Sequence, residues 1–288
     1  MFRGFYTVRF QLGQAQGRSV MYMRDGKMLG GNSAFAHIGT YEEIGDEIAI
    51  VINTVRHNDD PNYPAMAGTD DATLFARGRR DGELIRFEGR LRELPDVPFQ
   101  SVMTSIEEQP LPIAGGVGEG CIRNGLYSVQ IRMLDGVEGG LTGVILLNDG
   151  HILGGDAFFY YLGTYTSESG RWKGQILNQE HTPAKGDNPI FGGHEVGIGF
   201  SGVCDGEGAS WEATALIGKR SLRLKAALKL MRPLCACERN RCWGMRVRLL
   251  STLARGLISP GRERLLRFLV RPRALNLPER RANFVRHE

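Results

Sequence analysis

The titratable residues that recur at matched positions are the first candidates for chemistry. His57 and His181 each follow a long apolar run, and imidazole is well suited to proton transfer or metal binding near neutral pH. A metal site needs further ligands, but Asp59 and Asp60 beside His57 have only Asp187 as an equivalent after His181. We therefore expect no metal site, and a structural hydrogen bond at a strand end instead. No Ser-His-Asp or Cys-His arrangement is indicated, so we predict no catalytic residue, no cofactor and no enzyme.

A short acidic stretch is the second candidate. It contains Glu42, Glu43, Asp46 and Glu47 within six positions. Exposed carboxylates can select a basic partner and speed its association. The same composition is also typical of a hairpin tip that only keeps a protein soluble. Both interpretations place the stretch in a loop between two strands.

Aromatic residues in predicted strands are candidates for lining a barrel. Phe35, Phe158, Phe159, Tyr160 and Tyr161 lie in such segments and could line a barrel, and Phe35, Phe158 and Tyr160 are the selected candidates. An eight-stranded barrel either fills with its own side chains or holds one small ligand. We take these three residues as candidate lining positions for a small apolar molecule, although aromatic runs in strands are also typical of an ordinary core.

These candidates lie in a unit that the chain contains twice. The segment DGKMLGGN at residues 25–32 recurs as DGHILGGD at residues 149–156. Gly-Thr-Tyr follows each copy at the same distance, at residues 39–41 and 163–165. A unit of about a hundred residues has therefore been duplicated, which suits two domains in a chain of 288 residues.

Each copy has the pattern of about eight strands with mostly short connections. Tyr6, Val8 and Phe10 alternate with their neighbours, which is the period of a strand with one buried face. The Asp-Gly pairs supply tight hairpin turns, and the following glycine pairs indicate a bulge, a bend or the close approach of another backbone. Neither copy has a convincing helical period. We predict an all-β protein of two tandem up-and-down, calycin- or lipocalin-like eight-stranded barrels.

Changes in composition give the domain boundaries. The first barrel spans residues 1–109, a Gly/Pro linker spans 110–124, the second barrel spans 125–232, and a basic tail spans 233–288. The tail contains 13 Arg, no Lys and 4 Glu, whereas the formal net charge of the whole chain is only +4. The barrels are therefore acidic overall, and the tail has a different composition from theirs.

The tail is compatible with several interpretations. Residues 245–258 and 263–270 place Leu, Val and Phe among regularly spaced Arg, as in basic amphipathic helices that bind anionic membranes or nucleic acid. Cys235, Cys237 and Cys242 could belong to a metal site. A disordered extension, or a shifted reading frame in GC-rich DNA, explains the same composition. From the barrels themselves we expect no direct contact with nucleic acid or membrane.

The cysteines bear on the compartment. Five are present, at positions 121, 204, 235, 237 and 242, and they do not occur at matching places in the two copies. We therefore predict no disulfide framework and a reducing compartment. The sequence shows neither an apolar signal segment at its start nor a run of eighteen apolar residues. These observations favour a cytoplasmic protein.

The repeated pattern resembles the GrlR-like family, which comprises negative regulators of type III secretion and uncharacterised relatives. It opens with Gly-Leu-Tyr-Ser-Val at residues 125–129, continues through the Asp-Gly hairpin and Gly-Gly-Asp or Gly-Gly-Asn, and ends with an aromatic run and Gly-Thr-Tyr. Two tandem copies cover nearly all of residues 4–231. The resemblance implies a calycin-like barrel without known catalytic activity, and repression through binding of a transcriptional activator protein.

The resemblance also implies a place for the partner. In the founding member, an acidic four-residue loop between two strands is implicated in partner contact, and Glu42, Glu43, Asp46 and Glu47 lie at that place in the first copy. Residues 166–171 of the second copy are not acidic, so a partner role would belong to the first. The founding member is a single barrel that dimerises, and this chain resembles a covalently joined pair, an intramolecular pseudo-dimer.

Two functions are therefore expected, in order. The first is a bacterial, non-enzymatic regulatory protein that acts by protein-protein binding. The alternative is a calycin-type carrier of a small apolar ligand. Co-purification of a transcription factor would distinguish a regulator from a carrier.

Overall fold

The computed structural model describes residues 4–106, 114–118, 121–134, 140–183, 195–217 and 220–234. The described residues belong to one compact unit that ends at Cys235. The basic tail was predicted at residues 233–288. Apart from Pro233 and Leu234, this segment lies outside the described residues, so its interpretations stay predictions.

All sixteen elements of the described residues are strands, arranged as two closed antiparallel barrels. The first barrel contains β1 (Gly4–Leu12), β2 (Ala15–Arg24), β3 (Lys27–Gly31), β4 (Phe35–Ile44), β5 (Glu47–Arg56), β6 (Asp71–Asp81), β7 (Leu84–Leu91) and β8 (Pro98–Ser105). The second contains β9 (Gly125–Met133), β10 (Gly140–Asn148), β11 (His151–Gly155), β12 (Phe159–Glu168), β13 (Arg171–Glu180), β14 (Val196–Cys204), β15 (Gly208–Ile217) and β16 (Arg220–Pro233). Pairing of β1 with β8, and of β9 with β16, closes each barrel. The prediction of two tandem eight-stranded barrels is confirmed.

The repeated Asp-Gly pairs form the hairpin turns that the sequence predicts. Asp25 and Gly26 have φ values of 51° and 76°, and Asp149 and Gly150 have values of 48° and 82°. Two successive residues with positive φ match the right-handed twist of the flanking strands, and Asp-Gly is among the sequences that adopt this turn most readily. The turns therefore set the register of β2 on β3 and of β10 on β11.

The glycine pairs that follow these turns allow backbones to approach closely. A Cβ atom on Gly30 would overlap the carbonyl oxygen of Val20, and one on Gly154 would overlap that of Val144. Of the three interpretations of these glycines, the close approach of another backbone is the one observed. Any larger residue would push the two paired strands apart.

Each barrel has its own core of inward-facing side chains. The first is built mainly from aliphatic residues and methionines: Val8, Leu12, Met21, Met23, Met28, Ile48, Ile50, Ile52, Leu74, Ile85, Leu91 and Met103, with Tyr6, Tyr41 and Phe87. The second is richer in large rings: Tyr127, Phe159, Tyr161, Tyr165, Trp172, Phe200 and Trp211, with aliphatic neighbours. Both cores follow the period-two alternation of their strands.

A third apolar cluster contains residues from the outer faces of both barrels. Its buried members are Phe5, Val20, Leu29, Ala36, Leu126, Val144, Leu146, Leu153 and Leu162. Two of its contacts are reciprocal, because a Cβ on Gly31 would lie 2.8 Å from Val144 and one on Gly155 would lie 2.8 Å from Val20. Gly31 matches Gly155 in the repeat, and Val20 matches Val144. The barrels therefore use the same patch of surface on each other, as the two subunits of a two-fold dimer do.

Polar contacts across the same interface are not reciprocal. Thr142 donates from Oγ1 to the carbonyl oxygen of Ser33 at 2.7 Å, and Asn58 donates from Nδ2 to Thr142 Oγ1 at 3.2 Å. The barrels also make one aromatic contact that is not polar, in which the rings of Phe5 and Tyr160 meet edge to face with centroids 6.4 Å apart. The matched position of Thr142 is Arg18, so this hydroxyl has no equivalent in the first copy.

Part of the predicted linker packs on the second barrel. Val117 forms a parallel bridge to Ser167 of β12, and Cys121 and Ile122 are buried in the second core. Cys121 and Cys204 form a disulfide with Cα atoms 5.4 Å apart. The expectation that the cysteines form no disulfide is therefore wrong for this pair. A comparison of the two copies could not detect it, because Cys121 precedes the second copy and has no counterpart in the first.

Candidate functional site

The acidic stretch of the first barrel is not a loop. Glu42 and Glu43 belong to β4, Gly45 and Asp46 form a two-residue turn, and Glu47 begins β5. The two strands stay paired up to the turn. Gly45 has a φ of 61°, a left-handed conformation that glycine adopts at little cost. The carboxylates therefore line the ends of two paired strands, because the strands extend to a two-residue turn where the sequence predicts a longer loop.

Among these acidic residues, Glu47 is paired within the barrel. Glu47 accepts hydrogen bonds from Arg79 at 2.6 Å and from Arg77 at 3.0 Å. These two guanidinium groups of β6 hold the pKa of Glu47 below its usual value. Glu43 and Asp46 are exposed and Glu42 is half-buried. The acidic surface is therefore formed by Glu42, Glu43 and Asp46, and Glu47 is a structural member of the sheet.

The matched hairpin of the second barrel has a different chemistry. Its turn is Ser169-Gly170, with φ values of 51° and 76°, and it joins Glu168 of β12 to Arg171 of β13, which are paired. Ser167 stands where the first barrel has Glu43. The backbone is repeated, but the concentration of negative charge is confined to the first copy.

The structure places the three candidate lining residues apart. Phe35 lies at the start of β4 with the guanidinium of Arg56 4.4 Å above its ring centre. Phe158 precedes β12 and packs against the edge of the second core. Tyr160 belongs to the cluster between the barrels, so it faces outwards. Because side chains alternate along a strand, the inward positions here are the neighbouring Phe159 and Tyr161.

Four rings fill much of the second barrel. Trp172 lies at the centre of this group, with its ring centroid 5.9 Å from that of Tyr165 and 4.7 Å from that of Phe200. Trp211 follows at 5.3 Å from Phe200. Rings at these separations and angles are in favourable contact. The interior is therefore occupied by the protein's own side chains.

Two grooves of about 440 and 410 Å³ lie on the second barrel, and both are open to solvent. Lys173 and Gly199 line both of them, and Arg223 and Glu212 border the larger one. A Cβ atom on Gly199 would meet nothing within 4 Å, so the groove exists because this strand lacks a side chain there. The matched residue of the first barrel is Phe75, which is 39% exposed.

A buried turn before β4 and β12 is a feature that the sequence analysis did not identify. The Asn32 carboxamide accepts hydrogen bonds from the backbone N–H groups of Ala34 and Phe35. The Asp156 carboxylate accepts hydrogen bonds from the backbone N–H groups of Phe158 and Phe159, at 2.7 and 2.8 Å. Asn and Asp side chains favour this local capping of a turn. The signal in the sequence is the repeated Gly-Gly-Asn or Gly-Gly-Asp.

The repeated histidines support these turns. His57 Nε2 lies 3.0 Å from the carbonyl oxygen of Asn32, and the backbone N–H of His57 donates to Ala34 at 2.8 Å. His181 repeats the backbone bond, to Phe158 at 2.8 Å. Burial lowers the pKa of His57, and it lowers that of His181 to about 4. The predicted structural hydrogen bond at a strand end is therefore confirmed for His57.

His37 is a further buried histidine. It was not predicted as a candidate because the second copy has no histidine at the matched position. Its Nδ1 lies 3.1 Å from Thr54 Oγ1. Burial, with a smaller contribution from His57, lowers its pKa to about 4. The matched residue in the second barrel is Tyr161, whose hydroxyl donates to Asp156 Oδ2 at 2.5 Å. Burial raises the pKa of Asp156.

Within the described ranges, no group of three or more His, Cys, Asp or Glu side chains is placed to hold a metal ion. The same residues contain no helix that is long and apolar enough to cross a membrane.

Comparison with known proteins adds little to this geometry. No protein-family model and no curated protein sequence matches the chain. The crystal structure of Rv2717c from M. tuberculosis is similar over 80% of this chain and 92% of that protein, at 9% identity and a TM-score of 0.17. The LG1-3 region of the laminin α2 chain is similar over 84% of this chain and 59% of that region, at 10% identity and a TM-score of 0.11. Likenesses at this level carry no argument about function, and what is established for the chain is a pair of tandem barrels.

Proposed function

We propose that this chain is a non-enzymatic binding protein that regulates a partner through the acidic surface of its first barrel, formed by Glu42, Glu43 and Asp46. The partner class follows from the resemblance to GrlR-like regulators, which implies a transcriptional activator of type III secretion genes. Cytoplasmic location is part of the same proposal, and it rests on the partner class alone, because the Cys121–Cys204 disulfide removes the argument from unpaired cysteines.

The observation that carries the proposal is that the barrels are filled. In the second barrel, Trp172, Phe200 and Trp211 pack in one chain of rings. In the first barrel, methionines and isoleucines take the equivalent space. A calycin-type carrier needs a lumen that admits its ligand. With both interiors occupied, binding is assigned to the outer surface.

The charge distribution supports the first barrel as the binding member. Exposed carboxylates attract a basic partner over a distance of about 10 Å at moderate salt and speed the encounter. Glu47 contributes little to that field because Arg77 and Arg79 neutralise it. The matched hairpin of the second barrel has no such concentration of charge.

The test is native mass spectrometry of the full-length protein isolated from its own cells. We expect a complex with a DNA-binding activator, and we expect the triple variant E42Q/E43Q/D46N to lose it at least tenfold. The matched control E83Q/E88Q/D96N removes three exposed carboxylates from other positions of the same barrel and should retain the complex.

Three other outcomes would count against the proposal. Equal loss in the control variant would show that total charge matters rather than this surface. A chain that carries only a lipid-sized mass would favour the carrier. Identification of a bound protein that does not act in transcription would remove the regulatory part of the proposal and leave the binding part.

A further inference from the structure

Strands β16 and β9 of the second barrel carry basic residues at their outer positions. Lys225 lies directly opposite Arg132, and Lys229 follows on β16 opposite Ser128. All three basic side chains are exposed, and we call them the basic face. Like charges that oppose each other directly across a sheet repel, so an anion bound over Lys225 and Arg132 would relieve that repulsion.

Few carboxylates balance the basic face. The neighbouring strands β14, β15, β16, β9 and β10 contain one acidic residue, Glu212, which lies in register with Lys225. Among the described residues, no carboxylate lies close enough to any of the three basic residues to form an ion pair. Arg223 extends the row on β16, but it already has an interaction of its own, so it is not a member of the basic face.

The first barrel has neutral residues at the three matched positions, which are Gln11 for Arg132, Gln100 for Lys225 and Thr104 for Lys229. Gln11 and Gln100 are again direct partners across two strands. The same pair of strands therefore closes a barrel without the positive charge, so the fold does not require it. The basic face belongs to the second copy alone, as the acidic surface belongs to the first.

The surroundings of the basic face suit phosphate groups. Ser128, Gln130 and Ala227 lie between or beside the basic residues, and Glu212 borders one of the open grooves. Serine hydroxyls and glutamine amides join Lys and Arg in contacts to phosphate oxygens. Lys225 and Lys229 are four residues apart on one strand, which is about 13 Å. A chain of phosphates therefore matches this face better than a single small anion.

No described side chain at an outer position of β9, β14, β15 or β16 is aromatic. Tyr127, Phe200 and Trp211 are the aromatic residues of these strands, and all three belong to the core. Protein interfaces usually have aromatic anchors near their centre, and proteins that bind single strands stack the bases on aromatic rings. The basic face offers neither, so its occupant is a polyanion that binds through its phosphates.

We propose that Arg132, Lys225 and Lys229 bind the phosphate backbone of double-stranded nucleic acid without reading its sequence. No such contact of the barrels was expected from the sequence, because Arg132 and Lys225 become neighbours only when β9 pairs with β16. The site lies on the second barrel. It goes beyond the proposed function and does not depend on the acidic surface of the first barrel.

The test is fluorescence anisotropy of a labelled DNA duplex with the full-length protein over a series of salt concentrations. The variant R132Q/K225Q/K229T copies the first barrel at all three positions, so it should fold. Each phosphate contact contributes about 0.9 to the slope of log affinity against log salt concentration. The variant should therefore lower the magnitude of that slope by about 2.7, and it should weaken binding at least tenfold.

A matched control is needed because residues 235–288 of the full-length protein are also rich in Arg. The variant R24Q/R86Q/R90Q removes the same charge from exposed positions of the first barrel and should leave the slope unchanged. Equal loss in this control would show that total charge matters rather than the basic face. An unchanged slope in R132Q/K225Q/K229T would assign the binding to another part of the chain. Either result would overturn the proposal.

Two further measurements identify the place and the occupant. A photo-crosslinker at Ala227, which is exposed between Lys225 and Lys229, should react with the duplex, whereas one at the matched Val102 should not. A duplex of another sequence should bind within a few-fold, since only the backbone is contacted. If R132Q/K225Q/K229T instead loses binding to a poly-glutamate peptide, or to vesicles of phosphatidylcholine and phosphatidylserine, and keeps its affinity for the duplex, the assignment to nucleic acid is overturned.

Discussion

The two barrels share a backbone and differ in what fills it. The matched position of Trp211 is Phe87, that of Phe200 is Ala76, and that of Trp172 is Ile48. All six side chains are buried. The first barrel compensates for its smaller rings with Met21, Met23, Met28 and Met103, which are flexible enough to fill irregular space.

This difference separates what the fold requires from what it tolerates. The turns and glycine pairs are repeated because they set backbone conformation and strand separation, for which few residues serve. The interior needs only the right total volume, so different side chains can provide it. The predictions below test that division, from the largest expected effect to the smallest.

The largest effect should come from the repeated glycines at the interface. Gly31→Ala and Gly155→Ala should each lower the free energy of unfolding by at least about 4 kcal/mol, because the new Cβ would overlap backbone and the facing valine. Urea unfolding followed by tryptophan fluorescence measures this. Trp172 and Trp211 lie in the second barrel, and Trp243 lies outside the described residues. In a Trp243→Phe background, a shift caused by Gly31→Ala therefore shows that the barrels unfold together.

Gly45→Ala is the control for these variants. Gly45 has a φ of 61°, but a Cβ there would meet nothing within 4 Å. Its replacement should cost only about 1 kcal/mol. A tryptophan transition that Gly31→Ala leaves unchanged would show that the two barrels unfold independently.

The next effect concerns the filled interior. Trp211→Ala should cost about 3–4 kcal/mol, because it opens a cavity beside Phe200. Trp211→Phe, which copies Phe87 of the first barrel, should cost less than about 1.5 kcal/mol. The Trp211 Nε1 has no hydrogen-bond partner among the described residues, so its loss carries no penalty. Thermal unfolding compares the two, and equal costs would contradict the volume argument.

The third effect is a loss of stability in acid. His37 and His181 have folded-state pKa values of about 4, whereas the unfolded value is about 6.5. The unfolded state therefore binds more protons, so stability falls as the pH drops from about 6.5 to about 4, by up to about 3 kcal/mol per histidine. Urea midpoints at pH 7 and pH 4.5 measure this. His37→Gln should reduce the difference, and an unchanged slope would exclude His37 as its source.

The smallest effect should come from exchanging the turn residues. Asn32→Asp should cost about 1–3 kcal/mol, because Asn32 Nδ2 donates to the carbonyl oxygen of Arg18 at 3.1 Å and a carboxylate cannot. Asp156→Asn should cost about 1–2 kcal/mol, because an amide oxygen can still cap the turn but the amide nitrogen cannot accept from the Tyr161 hydroxyl. Since burial raises the pKa of Asp156, the Asn variant should gain on the wild type as the pH rises. Chemical unfolding at pH 5 and pH 8 tests both statements.

The fold was predictable because its signals are local and occur twice. The Asp-Gly turns and the alternation of Tyr6, Val8 and Phe10 each constrain only a few residues. Their repetition excluded chance, and the barrels followed from the number of strands. The parallel bridge at Val117 and the disulfide at Cys121 were missed because each joins segments that are distant in sequence and only one copy has them.

The candidate surface was predicted less well, for a physical reason. Composition locates charge but does not give the partners of each group, so the pairing of Glu47 with Arg77 and Arg79 could not be predicted. The lining residues were predicted less well because neighbouring residues of a strand point to opposite faces. A shift of one position exchanges the two faces of a strand, and this shift separates Tyr160 from the inward-facing Phe159 and Tyr161.

The reciprocal contacts of Gly31 with Val144 and Gly155 with Val20 have a consequence for how this molecule can change. In a dimer of identical subunits, each substitution at the interface is made twice and its cost is doubled. In one continuous chain the two halves are separately encoded, so a substitution is made once and its mirror position keeps the original residue. Ala36 in one half and Tyr160 in the other show such divergence. The joined pair can therefore explore asymmetric surfaces, one half holding the structure while the other acquires new contacts.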